Sequence, residues 1–279
     1  MHTHHSGHPS WQFPAARRHY RGVPINQSIQ SIVLVGDRFS GFAVQENVFT
    51  ISQLVDDIRR GVYATEGDPV LIESAQGVSE ADVFLIVEEL RHRGLDRIHV
   101  RLQPSTLSGA GEVHKHQVAN SLIADLHQVD DSLFGAGLRL HNDNELLLDH
   151  QTGQHVQGMV AVEASRQMFL AVTERFFAAQ WPQRKYYFVI EHMNTAFENF
   201  LFPLCSTIEY RITESRTQDP SRLSFTAEVG IHQAGRRSAF TQLAFTAFDT
   251  DVIEAKEDRR ARRAVEHTLR APAAALSGV

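Results

Sequence analysis

The sequence contains a single cysteine, no hydrophobic run long enough to cross a membrane and no secretory signal. Cys205 cannot form an internal disulfide, which fits a reducing compartment. Apolar stretches stay below the ~18 residues that a transmembrane helix requires. The N-terminal segment is polar and lacks the apolar core of a signal peptide. These absences predict a cytoplasmic protein that does not act in a membrane.

An excess of positive charge is also absent. The formal net charge is -6, with 42% hydrophobic and 22% charged residues, which is typical of a globular protein and gives no global attraction to nucleic acid. Gly77 and Gly94 stand alone, so no glycine-rich loop is present to hold the phosphates of a nucleotide. The histidines near the N-terminus are interpreted as part of a tail, and no metal site is predicted.

The first part of the chain predicts a flexible tail over residues 1–25 and a small α/β domain over residues 26–104. Short apolar strands alternate with helical spacing, and Ser79 is placed to cap the second helix. A strand–helix–strand order favours a sheet with crossover helices. Nothing catalytic is found here, so a structural or docking role is expected.

The character of the sequence changes after the Pro, Ser and Gly cluster at residues 103–111. Two strands are predicted at Val113–Leu126 and Asp131–His141, followed by a strongly apolar helix at Gly158–Ala179. Beyond this helix, apolar and polar residues alternate with a period of two, which indicates antiparallel strands. We therefore predict an α+β fold in which residues 105–252 form a sheet wrapped around a long helix. Residues 253–279 are expected to form a charged tail or solvated helix.

The residues best suited to catalysis lie between Asp149 and Gln167. His150 and His155 precede the start of the predicted helix, and Glu163 follows one turn inside it. Free N–H groups at a helix start can stabilise negative charge on a thioester oxygen, and imidazole can accept a proton from a hydroxyl. A carboxylate on a buried helix has to be paired, protonated or catalytic.

The same residues also fit interpretations without catalysis. Glu163, Arg166 and Gln167 have the spacing i, i+3 and i+4, so they can satisfy one another as a polar stripe on the helix. His150 can equally be a histidine in a surface loop. Spacing alone leaves these alternatives open.

A string of residues around the start of the predicted helix favours the catalytic interpretation over the structural one. Its residues are His155, Val156, Gly158, Met159, Val160, Glu163, Ala164, Arg166 and Gln167. This string resembles the signature of the A-factor synthase (AfsA-like) family, and Val113-His-Lys and Asp149-His150 resemble the repeat of that family. The resemblance implies a hot-dog domain preceded here by the small α/β domain. Only one repeat is legible, and Gln157 replaces the usual proline, which suggests a lone hot-dog domain that dimerises.

The resemblance further implies acyl transfer. A β-ketoacyl group would move from an acyl carrier protein or coenzyme A thioester to the hydroxyl of a small phosphorylated triose, as in butyrolactone biosynthesis, with no cofactor. His155 or His150 would be the base, with His155 favoured, and Glu163 would orient it or polarise the nucleophile. The amides of Gly158 and Met159 would hold the oxyanion. Arg166 and Gln167 would bind substrate, although Arg166 can instead pair with Glu163.

Three alternatives remain at this point. A dehydratase or hydratase of 3-hydroxyacyl thioesters would use the same His and Glu on the same fold, and a thioesterase would use water as the acceptor. A non-catalytic hot-dog domain would bind an acyl chain or a partner. Only the synthase interpretation requires a triose-phosphate acceptor.

Overall fold

The computed structural model describes residues 30–102, 105–148 and 153–270. The predicted tail at residues 1–25 therefore lies outside the described residues. Two sheets are present: a four-stranded parallel sheet, and a six-stranded antiparallel sheet that follows it in the chain. Within the described residues, no helix is long and apolar enough to span a membrane.

The first unit is the small α/β fold that the sequence predicts. Its strands lie in the order β2-β1-β3-β4 and all pair in parallel. Both long helices begin with capping boxes, at Thr50 and at the predicted Ser79. The elements are β1 (Gln30–Val35), β2 (Val48–Thr50), α1 (Ile51–Arg59), β3 (Val70–Ser74), α2 (Glu80–His92) and β4 (Ile98–Arg101).

The second unit wraps its sheet around one long helix, so the predicted hot-dog architecture is confirmed. Its strands lie in the order β5-β6-β8-β9-β10-β7, and each neighbouring pair is antiparallel. The helices are α3 (Ala110–Val113), α4 (Glu145–Leu148), α5 (Gly158–Val172) and α6 (Thr250–Arg270). The strands are β5 (Ile123–Gln128), β6 (Leu133–Leu138), β7 (Tyr186–Phe197), β8 (Ser206–Arg216), β9 (Arg222–Gln233) and β10 (Arg236–Asp249).

One sequence prediction in this unit is wrong. The strand predicted from Val113 to Leu126 begins only at Ile123, and it is preceded by α3 and a 3-10 turn at Val118–Asn120. His114 has a left-handed backbone with φ of 53°, which ends α3 and redirects the chain. The predicted helix Gly158–Ala179 is helical along its length, but a π turn at Thr173–Phe177 follows α5.

Helix α5 is buried on most of its circumference. The side facing the sheet is closed by β-strand residues such as Tyr210, Phe225 and Phe245. Phe169 of the helix stacks on Phe245 with ring centroids 4.3 Å apart. The remaining face is partly exposed, and it carries Met159, Val162, Glu163 and Arg166. The chemistry-bearing residues therefore lie on the face of α5 that the sheet leaves open.

The two units share a buried junction centred on Gln76, which follows β3. Its Nε2 donates to the carbonyls of Leu138 (2.9 Å) and Leu204 (3.2 Å), and its Oε1 accepts from the amide of Leu140 (2.6 Å). Val35 at the end of β1 belongs to the same hydrophobic core as α5. Gln76 thus satisfies the backbone of the second unit with a side chain of the first.

We expect Gln76→Leu to lower the free energy of unfolding by about 2–4 kcal/mol, since the buried carbonyl of Leu138 and the buried amide of Leu140 would lose their hydrogen bonds with Gln76. Urea denaturation measures this change. Gln128→Leu, at an exposed position on β5, is the matched control and should stay within about 0.5 kcal/mol of wild type. Equal stabilities for the two variants would show that the junction contributes nothing.

Candidate functional site

Both carboxylate oxygens of Glu163 accept hydrogen bonds. Arg166 donates from Nε to Oε2 at 2.8 Å and from its terminal nitrogen to Oε1 at 2.9 Å. Lys115 Nζ lies 2.8 Å from Oε1, and Gln167 Nε2 donates to Oε1 at 3.1 Å. Lys115, Glu163, Arg166 and Gln167 are called the carboxylate cluster below. It combines two cations with one anion on the open face of α5.

Lys115 reaches this cluster because of the turn after α3. The left-handed His114 ends the helix, and its Nε2 lies 2.9 Å from Glu174 Oε1 while its ring meets Phe188 edge-on. The amide of Lys115 donates to the carbonyl of Ala110 at 3.0 Å. These contacts hold the turn against β7 and the π turn that continues α5, and the Lys115 ammonium group lies 2.8 Å from Glu163.

Gln167 is fully buried and acts as a bridge. Its Oε1 accepts from the amide of Leu122 at 2.8 Å, and its Nε2 donates to the carbonyl of Asn120 at 2.8 Å. The same Nε2 also contacts Glu163. Gln167 therefore fixes α5 to the segment before β5. It also donates a hydrogen bond to the Glu163 carboxylate, so its side chain contributes both to the fold and to the carboxylate cluster. The sequence assigned it to substrate binding, and that role stays a prediction.

The charge of Glu163 is strongly stabilised. Burial by itself raises the pKa of the carboxyl, but hydrogen bonds from Arg166, Lys115 and Gln167 outweigh it and lower the pKa to about 2. A carboxylate with so low a pKa remains ionised at neutral pH and is a weak proton acceptor. The carboxylate cluster can therefore hold its cations in position and bind an anion. Proton transfer requires a residue other than Glu163.

The N-cap residue of α5 provides no side-chain hydrogen bond to the first amides of the helix. The side chain of this residue, Gln157, is directed elsewhere, and its Nε2 donates to the carbonyl of Leu146. The Phe197 ring packs closely on Gly158, since a Cβ at this position would stand 2.8 Å from the ring. The amides of Gly158 and Met159 are at the positively polarised end of the helix, where negative charge is stabilised.

Aromatic side chains surround this helix start. The exposed His155 ring lies 4.9 Å from that of Phe200, and the amide of Val156 donates to Leu201 at 2.7 Å. Phe197 and Phe200 are 59% and 69% exposed, far more than core aromatics. His155, Gly158, Phe197 and Phe200 are called the aromatic patch below. Such exposed apolar groups mark a surface that contacts a ligand or another chain.

The predicted site residues therefore fall into two groups. Glu163, Arg166 and Gln167 are in contact, together with Lys115, while His155 and Gly158 belong to the aromatic patch. In the part of the chain that the structure describes, the contacts of Glu163 do not include His155. His150 and its neighbour Asp149 lie outside the described residues.

Lys115 is the residue to which the sequence interpretation gave no role. It stands 48 positions before Glu163, so no local spacing connects the two, and only the family-like string Val113-His-Lys drew attention to it. No group of three or more His, Cys, Asp and Glu side chains among the described residues is arranged to hold a metal ion.

Comparison with known proteins gives one family match. The model of the AfsA family, described as an A-factor biosynthesis hot-dog domain, matches residues 102–249, which is more than half of the chain. No curated protein matches the sequence. This interval contains both the carboxylate cluster and the aromatic patch.

Two similar solved structures are thioesterases by their descriptions. A mutant thioesterase from Pseudomonas aeruginosa has 16% identity and a TM-score of 0.37, and the alignment covers 53% of this chain and 97% of that one. A hypothetical thioesterase from Streptococcus pneumoniae, solved with coenzyme A, has 10% identity and a TM-score of 0.32, with 45% and 85% covered.

The low pKa of Glu163 predicts a pH-dependent contribution to stability. Because the pKa falls from 4.5 to about 2 in the folded protein, the stabilisation is present above pH 4.5 and is lost as the pH drops toward 2. The stability difference between wild type and Glu163→Gln should therefore shrink by about 3 kcal/mol across this window. Urea denaturation from pH 6 to pH 2 measures it.

Glu145→Gln provides the control, because Glu145 is exposed. This variant should keep the pH dependence of the wild type. If Glu163→Gln also kept it, the ion pairs of the carboxylate cluster would be absent in solution.

Proposed function

The chain belongs to the A-factor biosynthesis hot-dog family, and from this membership we propose that it is an acyltransferase. It moves a β-ketoacyl group from the thioester of an acyl carrier protein or coenzyme A to the hydroxyl of a small phosphorylated triose, within butyrolactone or related secondary metabolism. The proposed location is the cytoplasm. The reaction forms an oxygen ester and releases the thiol, so it uses no redox chemistry.

The carboxylate cluster is the observation that carries this proposal. It has one more cation than anions, and the side chains of Lys115 and Arg166 are each 28% exposed. A partly exposed ammonium and guanidinium pair attracts a phosphate, while Glu163 holds both cations in place. A water acceptor, as in a thioesterase, has no need of such a group. The cluster therefore supports an anionic acceptor.

The remaining steps use the aromatic patch. The amides of Gly158 and Met159 would stabilise the negative charge on the thioester oxygen in the transition state. His155, or His150, would take the proton from the acceptor hydroxyl and return it to the leaving thiolate. Glu163 stays ionised and is assigned to positioning, since its low pKa makes it a poor base. Arg166 contributes to phosphate binding only through the edge of its guanidinium that Glu163 does not occupy.

The proposal is tested by incubating the protein with a β-ketoacyl thioester, with and without dihydroxyacetone phosphate, and identifying products by mass spectrometry. We expect the phosphorylated ester or its cyclised product only when the acceptor is present. Release of free acid at the same rate in both reactions would instead establish a thioesterase. An α,β-unsaturated product from a 3-hydroxyacyl thioester would establish a dehydratase.

Single variants assign the roles in that assay. We expect Glu163→Gln to keep the fold and lose most activity, because a neutral amide cannot hold both cations. His155→Ala should abolish transfer across pH 6–9, and His150→Ala should have the smaller effect. The reverse order would make His150 the base and His155 a packing partner of Phe200. Glu145→Gln is the control and should retain wild-type turnover.

We also propose that the protein is a homodimer. Strand β7 is the edge of its sheet: it pairs with β10 on one side, and no described strand covers its other side. Tyr187, Ile190 and Phe197 of this strand are 43%, 41% and 59% exposed. An uncovered edge with exposed apolar side chains favours pairing with another chain. Pairing of β7 with its own copy about a two-fold axis is antiparallel.

Light scattering at micromolar concentration tests this arrangement. The wild type should have twice the chain mass of 31.4 kDa, and Ile190→Lys should shift it toward the monomer because a charge would be buried at the edge. Val44→Lys, at a position 70% exposed in the first unit, should remain a dimer. A wild-type monomer would contradict the proposal.

A further inference from the structure

The first unit contacts the loop that carries His155. Residues 36–47, which join β1 to β2, are called the support segment below, and residues 153–157, which lead into α5, are called the entry loop. Gln45 Nε2 in the support segment donates to Gln154 Oε1 in the entry loop at 2.7 Å. Because Gln154 directly precedes His155, this hydrogen bond joins the first unit to the proposed base.

The backbones of the two segments also approach each other closely. A Cβ on Gly41 would stand 2.5 Å from the carbonyl oxygen of Gly153 and 3.0 Å from its carbonyl carbon. The backbone of Gly41 has φ of -62° and ψ of -29°, a conformation that any residue adopts. The entry loop therefore occupies the space that a side chain at Gly41 would need, and even a methyl group there would push the two backbones apart.

A row of aromatic rings extends from the support segment to His155. Phe42 is buried, with 8% of its surface exposed, and it stacks on Phe202 with ring centroids 5.5 Å apart. Phe202 lies 6.3 Å from Phe200, and Phe200 lies 4.9 Å from His155. Phe42 of the first unit therefore packs behind the rings that adjoin His155.

The support segment is itself attached at both ends. Asp37 accepts hydrogen bonds from the amide and the hydroxyl of Ser52, at 2.9 and 2.8 Å, which join it to α1. At the other end, the carbonyl of Asn47 accepts from the amide of Val33 at 2.9 Å. A segment that is held in this way can fix the position of the loop that it contacts.

We propose that Gly41, Phe42 and Gln45 are positioning residues for His155, acting through the entry loop and Phe202. The inference rests on the proposed function, in which His155 takes the proton from the acceptor hydroxyl. A base acts only within hydrogen-bond reach, and a displacement of about 1 Å can slow a reaction about a hundredfold. The first unit, which lies outside the matched interval 102–249, thereby contributes to turnover as well as to stability.

Two variants of the full chain test this role. Gly41→Ala places a methyl group against the Gly153 carbonyl and should lower kcat about tenfold or more, whereas Gln45→Ala removes an exposed hydrogen bond and should lower it about two- to fivefold. KM for the thioester and for dihydroxyacetone phosphate should stay within about twofold of wild type, because a misplaced base affects the transition state and not substrate binding. Glu46→Ala, at an exposed position beside Gln45, is the matched control and should retain the wild-type kcat.

A double-mutant cycle identifies the contact through which Gln45 acts. Gln154→Ala should lower kcat as much as Gln45→Ala does, and the double variant should be no slower than either single variant, because both changes remove the same hydrogen bond. Additive losses would show that Gln45 acts through some other contact, and they would overturn its assignment.

Hydrogen exchange detects displacement of the entry loop without any substrate. The buried amide of Val156 donates to the carbonyl of Leu201 at 2.7 Å, so its exchange rate reports whether the loop keeps its position. Mass spectrometry of a peptic fragment that spans Val156 should show exchange about tenfold faster in Gly41→Ala and unchanged in Glu46→Ala. Equal exchange in Gly41→Ala and wild type would overturn the inference.

The two measurements separate this inference from the proposed function. If the wild type transfers no acyl group, the acyltransferase is refuted, and faster exchange in Gly41→Ala still supports the positioning of the entry loop. If the wild type transfers the group and both variants keep its kcat, the inference alone is refuted. A lower free energy of unfolding with an unchanged kcat would show that these contacts only join the two units. Should Gly41→Ala fail to fold, the exposed change Gln45→Ala decides.

Discussion

A carboxylate on a helix that the sheet buries imposes the main constraint on this structure. Removing the charge of Glu163 from water costs several kcal/mol, so the fold must supply partners. Arg166 and Gln167 come from the same helix, but Lys115 must be brought from α3. The left-handed turn at His114 and the bridge from Gln167 to Leu122 both serve that convergence. The segment before β5 is therefore positioned by the charge on α5.

The same helix connects the fold to its proposed chemistry. Its buried face anchors α5 in the sheet, and its open face presents the carboxylate cluster. Its first residues, whose amides receive no side-chain N-cap, lie beside the aromatic patch. A rigidly packed helix gives these groups fixed positions, which electrostatic stabilisation of a transition state requires. Helix α5 has both roles because the sheet covers one of its sides and leaves the other side open.

The first unit contributes to this arrangement without catalytic groups of its own. The side chain of Gln76 forms hydrogen bonds with the backbone of two segments of the second unit. One segment contains Leu138 and Leu140, and the other contains Leu204. Val35 extends the core that surrounds α5. The first unit was expected to have a structural role, and it contacts the second unit through these buried hydrogen bonds. Breaking them would cost free energy, because buried polar groups would lose their partners.

Local patterns in the chain already indicated the elements. The period-two alternation around Phe225 and the apolar length of Gly158–Ala179 predict strands and a central helix, because each periodicity reflects one buried face. The string from His155 to Gln167 carries the resemblance to the family, and its spacing allowed contact of Glu163 with Arg166 as one of the open alternatives. The strand predicted from Val113 was wrong, since a single left-handed residue, His114, is not visible as a periodicity.

Tertiary structure alone decided which distant residues meet. Lys115 and Glu163 are 48 positions apart, and only packing of the α3 turn on α5 joins them. Packing likewise left Glu163 out of contact with His155 among the described residues, although both belong to one short string. Side-chain periodicity reports which face is buried, whereas the partner of that face depends on the path of the whole chain.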